Sequence, residues 1–407
     1  MVLCKFQNEA ENKKCILRAI FDNVYISRID LTDKTGLSAA TITKFTAELI
    51  NDGIVEEYGE MESTGGRKPI LLRINPDYAY IISIDLGGFS TKYGVVRING
   101  EILERQIILT ETRKFPAIGL DENAICEVIS KLLEKYGRSK FLGIGISISG
   151  MVDHMKGRVI FSPNVSGWNN TEIKAILEEK IGLPVFLDTS ARCLALAEQW
   201  FGAGKNVSNQ IFVSVGYSIG NGIIIDSNIY RGSGGFSGEI GHIQVNSNSK
   251  LICTCGNYGC LELYGTVPMI IGDIAARVSH HSGYSPIKDI IKAPSEIDEK
   301  IIIKALEMGD KIVYDAISVA GGYIGTALVN MAYILNPGLI ILGGGIIDAI
   351  PSIFDVVENA VNKRSLVTIT KICKTQLPGL DAALKGCAIL IISQFFEDSL
   401  SVDIKRG

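Results

Sequence analysis

The sequence has no excess of basic charge. Its 40 lysines and arginines stand against 44 aspartates and glutamates, which gives a formal net charge of −4 over 407 residues. A chain with this balance lacks the global positive field that attracts polyanions. Any binding of nucleic acid must therefore come from a local patch of the protein.

The chain also lacks a disulfide framework and an unbroken apolar run. Nine cysteines in 407 residues are far too sparse for a small disulfide-stapled scaffold. Lys13 and Lys14 are not followed by the apolar stretch and cleavage site of a signal peptide. The apolar stretch from Leu328 to Ile350 is interrupted by polar residues and a proline, so it predicts the end of a helix, a turn and a strand. We expect a cytoplasmic protein without a membrane span.

Hydrophobic residues, by contrast, are plentiful at 47%, which predicts a folded, globular chain. A chain of this length is too long for one compact core and indicates two or three domains. Near residue 77 the pattern changes from short helices to alternating strands and helices. We therefore predict one domain over residues 1–76 and a second over residues 77–407.

Metal-ligand residue types are concentrated in the segment 242–260, which we call the zinc loop. They are His242, Cys253, Cys255 and Cys260. Three thiols and an imidazole can close a tetrahedral shell around Zn²⁺, and a full protein shell leaves no open position for water. The sequence thus predicts a structural zinc ion. The alternative is that these thiols are small buried hydrophobes.

The first domain has the pattern of three helices. Apolar residues recur at helical spacing over 13–22. Ser27 can cap a second helix, whose apolar face would use Ile29 and Leu31. After a turn at Gly36, a third helix is predicted over 39–52. Its first turn shows small and polar groups that suit a major groove, and the predicted DNA-contacting residues are Ser38, Thr41, Thr43 and Lys44.

Two strands over 54–58 and 70–74 follow and predict a β-wing. Its tip, 63–69, contains Gly-Gly followed by Arg67 and Lys68, which would reach a narrow, negative minor groove. The pattern is that of a winged helix-turn-helix. A generic three-helix bundle with a hairpin is the alternative, because this geometry alone does not prove DNA binding. Acidic residues nearby imply that binding to double-stranded operator DNA needs a dimer and two half-sites.

The second domain has α/β patterning in two similar halves. Each half opens with a glycine-rich hairpin, at 85–88 and at 216–222. Buried strands are predicted at 79–86, 141–149, 210–215 and 339–342, and a long helix at 382–396 closes the chain. This pattern predicts two lobes around a cleft, with ligands bound by loops at the strand ends.

Several motifs together resemble the ROK family (repressors, open reading frames and sugar kinases), in particular its winged-helix transcriptional repressors. They are Gly-Gly-Arg-Lys-Pro at 65–69, Asp-Leu-Gly-Gly at 85–88, Ser-Pro-Asn-Val-Ser-Gly-Trp at 162–168, Gly-Glu-Ile-Gly-His at 238–242 and the cysteine run ending in Leu261-Glu262. The resemblance covers nearly the whole chain and implies an actin/hexokinase-like pair of lobes. It also implies that a sugar or sugar phosphate is bound by Asn164, Glu239, His242 and Glu262.

Carboxylates and amides suit sugar hydroxyls, although Glu239 and Glu262 could instead only orient the zinc ligands. The chain departs from the family's kinases, because the position of their catalytic Asp is Ser190 and a serine without a base cannot accept the substrate's proton. Asp188 stands two residues earlier, and a local slip could restore it.

The phosphate loops depart as well, with Phe89 in the first and Tyr217 in the second, where small residues are needed. We therefore predict a sugar-responsive repressor that acts as a homodimer or higher oligomer and has no catalytic residue. A sugar kinase with an added DNA-binding head, or a scaffold that binds a protein through the zinc loop, are the alternatives.

Overall fold

A computed structural model describes residues 9–60, 69–88, 90–109, 117–118, 121–163, 165–364 and 371–398. The chain divides into two compact units. Unit 1 consists of Met1–Cys193 and Ala383–Gly407, and unit 2 consists of Leu194–Ala382.

Unit 1 begins with a helical head, residues 9–74. Its helices are α1 (Glu9–Asp22), α2 (Arg28–Thr35) and α3 (Ala39–Asn51), and its strands are β1 (Ile26–Ser27), β2 (Val55–Glu60) and β3 (Ile70–Ile74). The strands form an antiparallel sheet in the order β1-β3-β2. The helices and wing strands expected from the sequence are present. The wing tip lies outside the described residues.

Serine caps fix the helix starts in the head. The Ser27 side chain accepts a hydrogen bond from the Asp30 amide, and the Asp30 carboxylate accepts one from the Ser27 amide, so both orphan donors are satisfied. Leu31 is buried as predicted, but Ile29 is 65% exposed, so its predicted inward position is wrong. It stands two residues from Leu31, about 200° around the helix, and the short helix buries Leu31 and Thr35 instead.

Beyond the head, unit 1 contains β4 (Tyr80–Leu86), β5 (Ser90–Arg97), β6 (Ile102–Leu109), β7 (Ala117–Ile118), α4 (Glu122–Tyr136), β8 (Phe141–Ile148), β9 (Met151–Asp153), β10 (Arg158–Phe161), β11 (Val165–Ser166), α5 (Ile173–Ile181), β12 (Val185–Thr189) and the start of α6 (Ser190–Phe201), which continues into unit 2. Five of these strands form a mixed sheet in the order β12-β8-β4-β5-β6. Strands β8 and β12 run parallel to β4, and β5 and β6 continue antiparallel.

Unit 2 contains β13 (Gln210–Val215), β14 (Ile219–Ile225), β15 (Asn228–Tyr230), α7 (Glu262–Gly265), α8 (Val267–His280), α9 (Glu299–Glu307), α10 (Lys311–Leu335), β16 (Leu339–Gly343), α11 (Gly345–Ala349), α12 (Pro351–Arg364) and β17 (Lys371–Lys374). Its strands form one sheet in the order β15-β14-β13-β16-β17. The segment 216–222 was predicted as a glycine-rich hairpin, and a hairpin is present. Its turn is shorter than predicted, because β14 already begins at Ile219 and only residues 216–218 join it to β13.

The final helix, α13 (Gly379–Asp398), begins in unit 2 and continues in unit 1. By length and composition alone, α10 and most of α13 could cross a membrane. However, 56% and 61% of their apolar windows are buried inside the protein, as in the core helices of a globular fold.

Candidate functional site

The zinc loop brings its four candidate ligands together. Single ligand atoms from His242, Cys253, Cys255 and Cys260 all lie within 4.8 Å of one another. The His242 Nδ1 is 3.5 Å from the Cys253 Sγ, and the Cys255 and Cys260 sulfurs are 3.7 Å apart. Two sulfurs on a tetrahedral ion with Zn–S bonds of about 2.3 Å would be about 3.8 Å apart. The donor set and its spacing therefore fit zinc.

Backbone geometry in the loop explains this convergence. Gly256 and Gly259 have φ angles of 87° and 66°, which glycine adopts without a steric penalty. A Cβ on Gly259 would lie 2.0 Å from the Asn246 carbonyl oxygen. The Cys253 amide donates to the Asn257 carbonyl at 2.7 Å, which closes the turn that carries Cys255.

The loop's thiols lie in contrasting environments. Cys253 and Cys260 are buried, and Cys255 is exposed. Burial, followed by the neighbouring Cys255 and Cys253 thiols, raises the pKa of Cys260 to about 12. A bound divalent cation would reverse this effect, because a coordinating thiol is deprotonated.

The predicted sugar-binding residues of unit 2 lie next to this loop. Glu239 directly precedes the single helical turn Ile240–His242. Glu262 opens α7, and its Oε1 accepts a hydrogen bond from the Ile219 amide at 3.0 Å. A Cβ on Gly241 would lie 2.8 Å from the Glu262 Cγ. The loop that carries Glu239 therefore packs on the side chain of Glu262.

His242 can serve both the metal and a ligand. Its Nδ1 faces the Cys253 sulfur, so its Nε2 points away from that sulfur and can donate to a hydroxyl. The Glu262 carboxylate accepts a hydrogen bond from the backbone of β14. That hydrogen bond does not orient any of the zinc ligands. Asn164 lies outside the described residues.

In unit 1, Asp85 lies at the centre of a polar network. Its Oδ1 accepts hydrogen bonds from Ser147 at 2.6 Å and from Ser190 at 2.9 Å. Its Oδ2 pairs with the Lys92 ammonium at 3.0 Å. Burial raises the pKa of Asp85, but Lys92 and the serine hydroxyls outweigh burial and leave it below its usual value.

Asp188 is engaged elsewhere. It is fully buried, and its Oδ1 pairs with Arg192 at 3.1 Å and accepts the Thr189 amide at 2.8 Å. Arg192 is itself only 2% exposed. A buried carboxylate held by a buried guanidinium has a structural partner for its charge.

The second phosphate-loop position is occupied by a large side chain. Tyr217 lies in the turn after β13, is 37% exposed, and donates its hydroxyl to Glu299 at 2.9 Å. Phe89 lies outside the described residues.

Four of the predicted DNA-contacting residues lie at the N-terminal end of α3, where Ser38 is the N-cap. Ser38, Thr43 and Lys44 are exposed and Thr41 is half-buried. The Thr43 hydroxyl donates to the Ala39 carbonyl at 2.8 Å, and the Ser38 hydroxyl is 2.8 Å from that of Thr41. Arg67 and Lys68 lie outside the described residues.

Lys44 has a partner that the sequence did not reveal. Its ammonium pairs with Glu9 of α1 at 2.6 Å. Both side chains are largely exposed, so this pair contributes little to stability. A phosphate could replace Glu9 as the partner of Lys44.

Comparison with known proteins covers both parts of the chain. The ROK family model matches residues 81–394, and a winged helix-turn-helix DNA-binding model matches residues 10–56. The chain is 32% identical over 392 residues to the xylose repressor of Caldicellulosiruptor bescii, covering 94% of this chain and 95% of that protein. It is 28% identical over 373 residues to the DNA-binding transcriptional dual regulator NagC of Escherichia coli K12, covering 90% and 87%.

Solved structures of ROK family proteins are also similar to this chain. A ROK family transcriptional regulator, described as a homologue of the E. coli MLC protein, superposes with a TM-score of 0.79 at 27% identity, covering 97% of this chain and 98% of that one. The ROK hexokinase of Thermus thermophilus gives a TM-score of 0.65 at 25% identity, covering 78% and 99%. The regulator matches almost the entire chain, and the hexokinase matches about the extent of the ROK model.

Proposed function

The chain belongs to the ROK family, and on that premise we propose that it is a sugar-responsive, DNA-binding transcriptional repressor of carbohydrate-metabolism genes. One observation carries the proposal. A capped helix-turn-helix head and a ROK domain occur in one chain, and the repressor relatives match both parts over more than nine-tenths of its length.

The repressor acts without phosphorylating its sugar. Three features of unit 1 support this part of the proposal. The family resemblance assigns to Ser190 the position of the kinases' catalytic Asp, and the Ser190 hydroxyl donates to Asp85. Lys92 neutralises Asp85, and Arg192 holds Asp188. These carboxylates are therefore poorly placed to act as a general base.

The effector is a sugar or a sugar phosphate, bound by Asn164, Glu239, His242 and Glu262. Carboxylates that accept from hydroxyls and an imidazole that donates form a suitable set. Two relatives are named for xylose and N-acetylglucosamine, so these sugars and their phosphates are the first to test. A structural Zn²⁺ held by the zinc loop would fix Glu239 and Glu262 by clamping the chain between them.

The DNA partner is a double-stranded operator, contacted by the N-terminal end of α3 and by Arg67 and Lys68 of the wing. Because acidic residues such as Glu48, Asp52 and Glu56 accompany the basic residues of the head, one head alone attracts DNA weakly. A cytoplasmic homodimer, or a higher oligomer, would place two heads on two half-sites. Sugar binding would change the relative placement of the heads, and thus operator affinity.

Operator binding in the presence and absence of sugars tests this function. We expect Glu239→Gln to bind operator like the wild type but to need at least roughly tenfold more sugar for the same response, because a charged hydrogen bond is worth about 1.5–3 kcal/mol. Calorimetry gives the sugar affinity directly. Glu307→Gln, an exposed acid on α9, is the matched control.

A second candidate, a sugar kinase with a DNA-binding head, is favoured by the similarity to the ROK hexokinase. An ATP-consumption assay separates the two. Sugar-dependent ATP turnover by the wild type, lost in Asp188→Ala, would refute the repressor-only function. No sugar effect on operator binding would refute sugar responsiveness.

A further inference from the structure

Asn221 is a buried amide without a hydrogen-bond partner. It lies on β14, is 2% exposed, and neither its Oδ1 nor its Nδ2 has a partner among the described residues. Folded proteins rarely bury an amide and leave both ends unpaired. Such a group indicates a ligand, an internal water or a second conformation that supplies the missing bonds.

The strand that carries Asn221 also holds the predicted sugar-binding residues in place. Two residues before it, the Ile219 amide donates to Glu262. At position 221 itself, the backbone amide donates to the Gly238 carbonyl at 3.4 Å. Gly238 is the residue before Glu239. The unpaired amide thus lies on β14 beside the attachment points of both candidate carboxylates.

The segment 232–238, which we call the glycine flap, approaches the amide closely. Gly238 has a φ of 97°, and a Cβ there would lie 2.7 Å from the Asn221 Oδ1. Gly232 and Gly235 also have positive φ angles, of 70° and 79°. Glycine backbones interconvert between regions that other residues rarely enter. The flap can therefore change conformation at several points without strain.

We propose that Asn221 is an effector-contacting residue, an inference that rests on the proposed sugar response. When sugar binds, the glycine flap shifts and the Asn221 carboxamide accepts a hydrogen bond from one sugar hydroxyl and donates one to its neighbour. A carboxamide offers an acceptor and a donor side by side, which matches the adjacent hydroxyls of an aldose. A site of this kind discriminates strongly against an analogue that lacks the hydroxyl.

Calorimetry on the full-length, zinc-loaded chain tests the inference with D-xylose and N-acetyl-D-glucosamine, and with mono-deoxy analogues of whichever binds. We expect Asn221→Ala to bind the parent sugar at least roughly tenfold more weakly. It should also stop discriminating against one deoxy analogue and keep discriminating against the others. Its melting temperature should stay unchanged or rise, because an unpaired buried amide has been removed.

Several outcomes separate the possibilities. Wild-type affinity and discrimination in Asn221→Ala, with a lower melting temperature, would show a structural amide that holds an internal water and would overturn the inference. Ser83→Ala, which removes a buried unpaired hydroxyl in unit 1, is the control and should bind sugar normally. If Asn221→Ala fails to fold, Asn221→Ser, whose hydroxyl is too short to reach the sugar, should lose the same discrimination; if it keeps it, the inference fails.

Glu239→Gln distinguishes this inference from the function on which it rests. If Glu239→Gln weakens sugar binding and Asn221→Ala does not, Asn221 is no effector contact and the repressor function stands. If neither variant weakens the binding of a sugar that the wild type binds, the assignment of the effector site to this part of unit 2 is wrong.

Discussion

Asp85 is a buried carboxylate whose charge is neutralised within unit 1. Lys92, its partner in the register of β4 and β5, supplies the opposite charge across the hairpin. The sequence predicted a hairpin here and a weakened phosphate loop, but it gave no indication of the pair. Cross-strand register decides such pairs, and a shift of one residue would have turned Lys92 to the other face.

We expect Lys92→Met to destabilise the protein by about 3 kcal/mol, because it leaves a buried carboxylate without its countercharge. This is the low end of the range for buried pairs, since the Lys92 side chain is 27% exposed. Chemical denaturation at pH 8 measures the loss. Lys131→Met, at a lysine whose side chain is 71% exposed, is the control and should change stability little.

The pH dependence of this variant has a definite sign. In the wild type the pKa of Asp85 is lowered, so its contribution is present above the usual aspartate pKa and is lost as pH falls through the lower value. In Lys92→Met, burial without Lys92 raises that pKa, so the penalty is present at high pH and disappears as Asp85 is protonated. The difference from wild type should shrink at pH 5. A difference that grows there would contradict this account.

At the scale of elements, the sequence predicted the structure correctly where residues close together in the chain determine it. The caps at Ser27 and Ser38 and the strands at 70–74 and 210–215 are present as predicted. The errors arose where tertiary packing decides. Ile29 is exposed because α2 is too short to bury two faces, and Gly220 lies in a strand because the partner strand extends the pairing.

The zinc loop offers a test at this scale. Cys255→Ser should bind zinc at least roughly tenfold more weakly, since even disturbing a partner of a ligand costs about 10–100-fold. Its melting temperature should fall, because metal binding contributes to folding. Elemental analysis and thermal unfolding measure both effects. Cys373→Ser, a half-buried thiol on β17, is the control. Wild-type protein without stoichiometric zinc would show that the metal assignment is wrong.

At the scale of the whole molecule, α13 links parts of the chain that the sequence treats as separate domains. It begins in unit 2 and ends in unit 1, where Phe396 meets Phe21 of α1 edge-on, with ring centroids 5.3 Å apart. The ring centroid of Phe395 lies 5.9 Å from that of Tyr78, a residue just after the head in the sequence. Sequence periodicity predicted a long closing helix, but a contact between residues 21 and 396 leaves no local pattern.

A variant at Phe396 tests whether this contact couples sugar binding to the head. Phe396→Leu keeps an apolar side chain in the core but loses the edge-to-face contact, which is worth about 0.5–1.5 kcal/mol. We expect near-normal affinity for sugar alone and for operator alone. The change in operator affinity caused by sugar should shrink by roughly 2–10-fold, because a coupling energy depends on contacts that differ between states.

Phe161→Ala, at an exposed phenylalanine of β10, is the control. An undiminished sugar effect in Phe396→Leu would show that the signal reaches the head by another route, since a contact that does not change with sugar binding cannot contribute to the coupling.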